Sequence, residues 1–253
     1  MENNNANNQI VTLDQPHHSR SAKYQLVPTK AVAQKFYDLG FKLDEYKSVR
    51  VRDASRVGYQ KHFVRLSHPT MLTSRHSDLK LQLLVTNSHD GSSAFTIALG
   101  IYRLVCSNGL VVGTEFEKIS IRHQGNVLEQ IEPAIERMVA QVQKLDEMLD
   151  RMKGITLTPA QIQKFYGEAI KLRFENKTVS DVIITSRRTA DDANDLFTVY
   201  NRAQEALIRG TQVLGNNNRF RQRRAITNIS KDVKINEKLF DLASTYAQEL
   251  VAA

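Results

Sequence analysis

Along the first half of the chain, apolar and polar residues alternate in short runs with the two-residue period of β-strands. The pattern predicts strands over residues 41–51, 59–67, 79–86, 95–106, 110–112 and 118–122. A shorter strand is expected over residues 24–27, stopped by Pro28, and Thr29 is expected to cap a helix that ends at Gly40. The run 95–106 is almost entirely apolar, so we expect it at the centre of the sheet.

From residue 127 the apolar period lengthens to about 3.6 residues, which predicts amphipathic helices. The expected helices cover residues 127–154, 158–174, 189–210 and 231–250. Thr158, Pro159 and Gln161 form a strong N-terminal helix signature. Residues 211–229 read as a loop, and the short apolar segment 181–186 fits either a strand or the start of a helix.

Strands followed by helices predict an α+β protein rather than an alternating α/β one. We expect an N-terminal, mostly antiparallel β-sheet with one early helix, followed by a C-terminal helical half. Residues 1–22 lack apolar periodicity and are expected to form a disordered tail. Residues 23–126 would be the β-rich part, and residues 127–253 the helical part, packed with it as one domain.

Composition says more about the class of partner than about the fold. The 253 residues carry a formal net charge of +8 with a pI near 9.5, which favours a polyanionic partner. A single cysteine fits a reducing cytoplasm, and the sequence has neither a membrane-length apolar run nor an apolar signal region at its start. We also find no P-loop or Rossmann glycine motif, so no cofactor is expected.

Basic residues concentrate in a few places where they could contact nucleic acid. On a strand, Arg50 and Arg52 share a face, as do Lys61, Phe63 and Arg65, and interleaved basic and aromatic side chains suit a nucleic-acid strand. Arginine forks bind phosphate in bidentate fashion, and an aromatic ring can stack on a base. The complete predicted set is Arg50, Arg52, Arg56, Lys61, Arg65, Arg103, Arg187, Arg188, Arg219, Phe220, Arg221, Arg223 and Arg224.

Two of these positions carry alternatives. Arg103 interrupts an apolar run, so it is either paired with an acid such as Asp90 or Glu115, or it is a functional cation facing a groove. The arginines of residues 219–224 could instead belong to a disordered basic loop or to a loop that binds a protein partner.

A metal-dependent nuclease is the enzymatic alternative, using His89, Asp90 and His123. Their spacing matches no known metal motif, so we expect no metal. His89 and Asp90 are expected to build an Asx-type turn instead. Cys106 lacks a histidine nearby in the sequence and is expected to be a small buried residue rather than a nucleophile.

Three runs, NSHDGSSAF from residue 87, YRLVCSNGLVVG from 102 and IRHQGN from 121, resemble proteins grouped as domain of unknown function 932. The resemblance extends over residues 23–250, and it implies a phage or mobile-element setting. It implies no activity and transfers no catalytic residues, because none are defined for that group.

These observations leave three hypotheses of function. The first is a DNA-binding accessory protein for phage replication or recombination in the bacterial cytoplasm, binding or annealing single strands as a homo-oligomer, without being an enzyme. Basic residues of the sheet would line a groove, covered by the arginines of residues 219–224. The second is a host-takeover or counter-defence protein that binds a host protein. The third is the nuclease.

Overall fold

The computed structural model describes residues 13, 15–103, 109–111 and 116–252. Its first part is one helix and six strands. Their bounds are α1 Thr29–Asp38, β1 Lys42–Ser48, β2 His62–Ser67, β3 Leu79–Asn87, β4 Phe95–Arg103, β5 Gly109–Val111 and β6 Lys118–Ile121. All strand pairs are antiparallel in the order β1–β2–β3–β4, and β5 and β6 both pair with β4. The predicted central position of the 95–106 run is therefore confirmed.

The part that follows is mainly helical. Its elements are α2 Ile131–Ala140, α3 Val142–Gly154, α4 Pro159–Lys171, α5 Leu196–Arg209, β7 Gln212–Leu214, β8 Phe220–Gln222 and α6 Ile229–Ala252. An antiparallel sheet with one early helix is thus followed by a helical half, which confirms the predicted α+β class. In the part of the chain that the structure describes, no helix combines the length and the apolarity required to cross a membrane.

The chain divides into two compact units. Among the described residues, the first contains everything up to 111 together with 116–143, and the second contains 144–252. In the first unit, Phe36 of α1, Leu83 of β3 and Phe95 of β4 are fully buried. In the second, the Tyr200 and Phe240 rings meet edge to face at 6.1 Å. Each unit therefore has an apolar core of its own.

The edge strand β1 carries an irregularity. Its register against β2 shifts between Leu43 and Glu45, which leaves Asp44 without a partner in the ladder. The Asp44 carboxylate instead accepts from Lys80 Nζ and Gln82 Nε2, both at 2.6 Å, across the neighbouring strands. A bulge of this kind bends an edge strand and redirects one side chain.

The expected strand over residues 24–27 is wrong, because this segment pairs with loops rather than with a strand. The Gln25 amide donates to the carbonyl of His123 at 2.9 Å. Residues 15–22 lie in the segment predicted to be disordered, yet His17 is buried and its amide donates to the His89 carbonyl at 3.0 Å. The segment is polar and makes its contacts mostly through hydrogen bonds, so its sequence shows no apolar pattern that would predict them.

Helix boundaries were predicted unevenly. The capping box at Thr158 is confirmed. The Gln161 amide donates to the Thr158 hydroxyl at 3.3 Å, and the Thr158 amide donates to Gln161 Oε1 at 2.8 Å. The single helix expected over 127–154 is wrong, because α2 ends where the Gln141 amide turns to the Met138 carbonyl, three residues back. Helix α5 begins at Leu196, where Asp195 caps it, and not near 189.

The loop expected over 211–229 is also partly wrong, because it contains the hairpin β7–β8. Only Val213 of this hairpin is buried, and β8 is fully exposed, so the strand shows no apolar alternation in the sequence. Its base depends on Gly210, which ends α5 with φ +95°. A Cβ atom at Gly210 would lie 2.1 Å from the Arg223 carbonyl oxygen.

We therefore expect Gly210→Ala to destabilise the protein by about 2 kcal/mol or more, since both the backbone conformation and the close approach exclude a side chain. The measurement is urea unfolding followed by far-UV circular dichroism. Gly154→Ala is the matched control, because a Cβ there meets nothing within 4 Å. Equal stability of the two variants would contradict the role assigned to Gly210.

Candidate functional site

The most basic surface feature is a hairpin formed by β7, β8 and the residues that follow, which we call the arginine hairpin (residues 212–224). Leu214 pairs with Phe220 and Gln212 with Gln222 across a turn in which Asn218 adopts φ 55°. Phe220 is 44% exposed, unusual for a phenylalanine. Beside it, four exposed arginines project from a short stretch of chain: Arg219, Arg221, Arg223 and Arg224.

The arginine hairpin is fixed at its base by hydrogen bonds to backbone carbonyls. The Arg223 amide donates to the Thr211 carbonyl at 2.8 Å, and Arg173 Nη2 donates to the Arg224 carbonyl at 2.6 Å. Burial, and after it the nearby Arg223 charge, lower the pKa of Arg173. Residues 206–231 contain six cations and no acid. The arginine hairpin is thus a positively charged surface with a hydrogen-bonded base, and not the loop that the sequence predicted.

A second set of cations, missed in the sequence, follows on α6. Lys231, Lys234 and Lys238 are exposed and lie at the three- and four-residue spacing that places side chains on one helix face. The spacing of these lysines is visible in the sequence, but the helix was predicted from its apolar positions alone. They add positive charge directly after the acid-free segment 206–231, although Asp232 and Glu237 lie on the same helix.

Two other predicted arginines are engaged within the protein. Arg188 pairs with Asp191 at 3.0 Å and with Glu205 at 3.2 Å, and both carboxylates are buried. Arg187 lies 3.7 Å from Glu205 and donates to the Gly210 carbonyl at 2.8 Å. Their charges balance buried acids, so they are poor candidates for phosphate contacts.

Some predicted cations of the first unit are also engaged within the protein, and others are exposed. Arg65 pairs with Glu45 at 3.3 Å, and Arg56 pairs with Asp90 at 3.5 Å. Lys61 lies over the ring of Phe63, which is itself buried and so not free to stack on a base. Arg50 and Arg52 are exposed. Only the backbone of Arg103 is described, so both readings of its side chain lie outside the described residues.

A buried polar cluster lies where α1 begins and β2 and β3 approach each other. We call it the histidine cluster: His62, His89 and His123 with Thr29 and Asn87. All five residues are at least nine-tenths buried. The Thr29 hydroxyl oxygen lies 2.6 Å from His62 Nε2 and 3.1 Å from both His89 Nε2 and Asn87 Nδ2. The prediction that Thr29 caps α1 is therefore wrong. Its side chain makes no capping hydrogen bond, and Pro28 occupies the cap position.

The partners determine where the protons lie. His62 Nδ1 faces the Gln60 carbonyl at 3.0 Å and must donate to it, because a carbonyl only accepts. His62 Nε2 then accepts the Thr29 hydroxyl proton, and the Thr29 oxygen accepts from Asn87 and His89. This assignment leaves His89 Nδ1 as an acceptor, and it has no hydrogen-bond partner among the described residues.

The segment that precedes α1 covers one side of this cluster. Tyr24 stacks on the His123 ring with centroids 4.8 Å apart and donates its hydroxyl proton to the Ser88 carbonyl at 2.8 Å. Burial, and then the Asp90 charge, raise the pKa of Tyr24 to about 12. Asp90 accepts from the Ser92 amide at 2.9 Å, which confirms the predicted Asx-type turn at this residue.

Burial makes the histidine cluster electrically neutral. It is the main cause that lowers the pKa of His62 from 6.5 to about 4, with a smaller contribution from the His89 charge. Burial likewise lowers the pKa of His89 and His123. Uncharged imidazoles suit a structural network or a metal site, but no group of three metal-ligating side chains is assembled among the described residues. Cys106 and Glu115 lie outside them.

The fold and these two features define a basic α+β protein with a buried histidine cluster and an exposed arginine hairpin. The chain belongs to the family described as Domain of unknown function (DUF932), whose model matches residues 16–240. The resemblance read from the sequence motifs is thereby confirmed. Two similar proteins of Escherichia coli (strain K12) are UPF0380 protein YfjQ and UPF0380 protein YafZ. Each is 32% identical over 244 residues, covering 95% of this chain and 88% of the relative. No solved structure matches the chain.

The histidine cluster predicts a loss of stability in acid. His62 has a folded-state pKa of about 4 against an ordinary value of 6.5, so below pH 6.5 the unfolded chain binds the proton first. Stability is complete above that value and falls as the pH drops toward 4, by up to about 3 kcal/mol for this group alone. We expect His62→Gln to flatten this pH dependence, measured by urea unfolding at a series of pH values.

The matched control is Asn217→Gln, which changes an exposed residue without a titratable group and should leave the slope of stability against pH unchanged. A His62→Gln variant with the same slope as the wild type would show that folding does not lower the pKa of His62. Because the slope is compared and not the absolute stability, a general destabilisation by the substitution does not obscure the result.

Proposed function

We propose that the protein binds single-stranded DNA through the arginine hairpin, as an accessory factor for replication or recombination of a phage or other mobile element. The observation that supports this proposal is the set of four exposed arginines beside the exposed ring of Phe220, in a stretch of chain without acids. Guanidinium groups bind phosphates in bidentate fashion, and an exposed aromatic ring stacks on an unpaired base.

The alternation of side chains along β8 favours a single strand. Phe220 and Gln222 point to one side of the strand and Arg221 points to the other, and Arg219 and Arg223 flank the strand at its two ends. An extended nucleic-acid strand can place its phosphates along the arginines while one of its bases reaches the aromatic ring at the edge. A duplex keeps its bases stacked inside and offers the ring nothing to contact.

The interface proposed here is narrower than the one expected from the sequence. Arg56, Arg65, Arg187 and Arg188 already have acidic partners, so they contribute less to a phosphate surface. Lys231, Lys234 and Lys238 join the arginine hairpin instead, because they are exposed and follow it directly in the chain. Arg50 and Arg52 stay candidates as exposed cations of the first unit.

The test is binding of a labelled oligonucleotide, single- or double-stranded, at several salt concentrations with magnesium present. We expect salt-sensitive binding that favours the single strand. In the variant with Arg219, Arg221, Arg223 and Arg224 changed to Ala, the slope of log affinity against log salt should fall by about 3, since each phosphate contact on a single strand contributes about 0.7.

The matched control removes four exposed cations elsewhere: Lys30, Lys144, Arg151 and Lys171 changed to Ala. It loses the same net charge and should keep most of the affinity. If the two variants lose affinity equally, binding reflects net charge and not the hairpin. An absence of binding even at low salt would overturn the DNA proposal in favour of a protein partner, and cleavage of the DNA would direct attention to the nuclease hypothesis.

A further inference from the structure

The segment that leads into α1, residues 15–27, crosses the histidine cluster without joining the sheet. We call it the N-terminal strap. The His17 amide donates to the His89 carbonyl at 3.0 Å, and the Gln25 amide donates to the His123 carbonyl at 2.9 Å. Both backbone attachments of the strap are thus made to histidines of the cluster.

Few side chains add to this attachment, because most of the N-terminal strap is exposed. Tyr24 stacks on the His123 ring with centroids 4.8 Å apart, and its hydroxyl donates to the Ser88 carbonyl at 2.8 Å. The buried His17 ring meets Tyr59 edge to face at 5.2 Å. A segment that buries little apolar surface can open while the core of its unit stays folded.

Three imidazole nitrogens under or on the N-terminal strap are buried without a hydrogen bond. They are His17 Nε2, His89 Nδ1 and His123 Nε2, and none has a partner in the part of the chain that the structure describes. A nitrogen that leaves water and finds no new partner makes the closed arrangement less favourable. Opening of the strap would return all three atoms to water.

The charges around these imidazoles do little to favour their protonated form. The Asp90 charge acts on His62 and His89, but it is a smaller influence on both than burial. The Asp90 carboxylate also lies 3.5 Å from the Arg56 guanidinium. Arg56 and Arg20 of the strap are two cations beside the same turn. Protons added to the imidazoles would therefore lie close to other positive charges.

The other titratable groups that pack on these rings are aromatic. The His62 ring lies 5.1 Å from the His89 ring, and the Tyr46 ring lies 5.6 Å from that of His62. Tyr24, which covers His123, has a pKa raised to about 12, chiefly by burial, so it stays protonated in neutral and acidic solution. The imidazoles are thus the groups whose charge responds to mild acid.

The closed strap favours neutral imidazoles. Burial lowers the pKa of His89 and of His123 from the ordinary value of 6.5. Below that value an exposed imidazole binds a proton that the covered one does not. The closed arrangement therefore keeps its full stability above pH 6.5 and loses stability as the pH falls.

We propose that the N-terminal strap is a pH-sensitive lid, which detaches from His89 and His123 in mild acid and uncovers the turn of residues 88–94. The sheet and α1 keep their structure in this step, because their apolar core contains none of the imidazoles that bind the protons. The device belongs to the first unit and involves none of the residues proposed to bind DNA, so it does not depend on that function.

The experiment is hydrogen–deuterium exchange of the full-length chain, read by mass spectrometry between about pH 7.5 and about pH 5 and corrected for the intrinsic exchange rate. Each imidazole that binds a proton on opening raises the opening constant by up to about tenfold per pH unit below its ordinary pKa. We expect protection of the strap amides to fall at least about tenfold, and protection of β3 to stay constant.

Three results of this experiment would overturn the proposal. The first is strap protection that does not change with pH, and the second is a strap without protection even at neutral pH. The third is loss of strap protection only together with that of β3, which would show unfolding of the whole unit and no local opening.

Two variants separate protonation from simple loosening. His123→Asn removes a titratable ring but keeps an amide that can donate to the Gln25 carbonyl, 3.3 Å from His123 Nδ1, so the pH dependence of strap opening should flatten by up to about tenfold per pH unit. Tyr24→Phe is the matched control. It loses the bond to Ser88 and should speed exchange at every pH with the slope of the wild type. Equal slopes in both variants would overturn the role of His123 in the lid.

Discussion

The junction between α1 and the sheet of the first unit centres on a single hydroxyl group, that of Thr29. Three hydrogen bonds meet at this hydroxyl. They join the first turn of α1 to β2 through His62, to the end of β3 through Asn87 and to the turn after β3 through His89. Groups so deeply buried need partners, because an unsatisfied polar group in the interior costs free energy. The network therefore fixes the position of the helix against the sheet. It also fixes the protonation states of the histidines that take part in it.

The same network explains why residues 87–90, the first four of the NSHDGS motif, are polar and yet buried. Asn87 donates to the Val27 carbonyl at 2.8 Å and accepts the Ser88 amide at 2.9 Å, so one amide side chain ties together the segment before α1 and the turn after β3. Ser88 accepts the amide of Ser93 at 3.0 Å and closes the turn. Asn87, Ser88, His89 and Asp90 each supply a side-chain hydrogen bond that an apolar residue would leave unmade.

The sequence was informative wherever local pattern decides structure. Alternating and continuous apolar runs located the six strands of the sheet. The Thr158 capping box was predicted correctly because Thr158 and Gln161 bond to one another within one turn. It was less informative where long-range partners decide. Thr29 looks like a cap until His62, thirty-three residues away, is seen to hold its hydroxyl. Arg188 looks like a phosphate ligand until Glu205 is found beside it. The β8 strand could not be found, because all of its side chains are exposed.

The bulge at Asp44 has a meaning for the whole sheet. An edge strand exposes unpaired amides and carbonyls that can recruit a strand from another molecule. Here the edge strand β1 carries alternating charges in KLDEYKS, and the bulge interrupts its regular ladder near its beginning. A foreign strand would have to bury lysine and glutamate side chains and match a broken register at the same time. The irregularity that sends Asp44 toward Lys80 thus also protects the molecule against edge-to-edge aggregation.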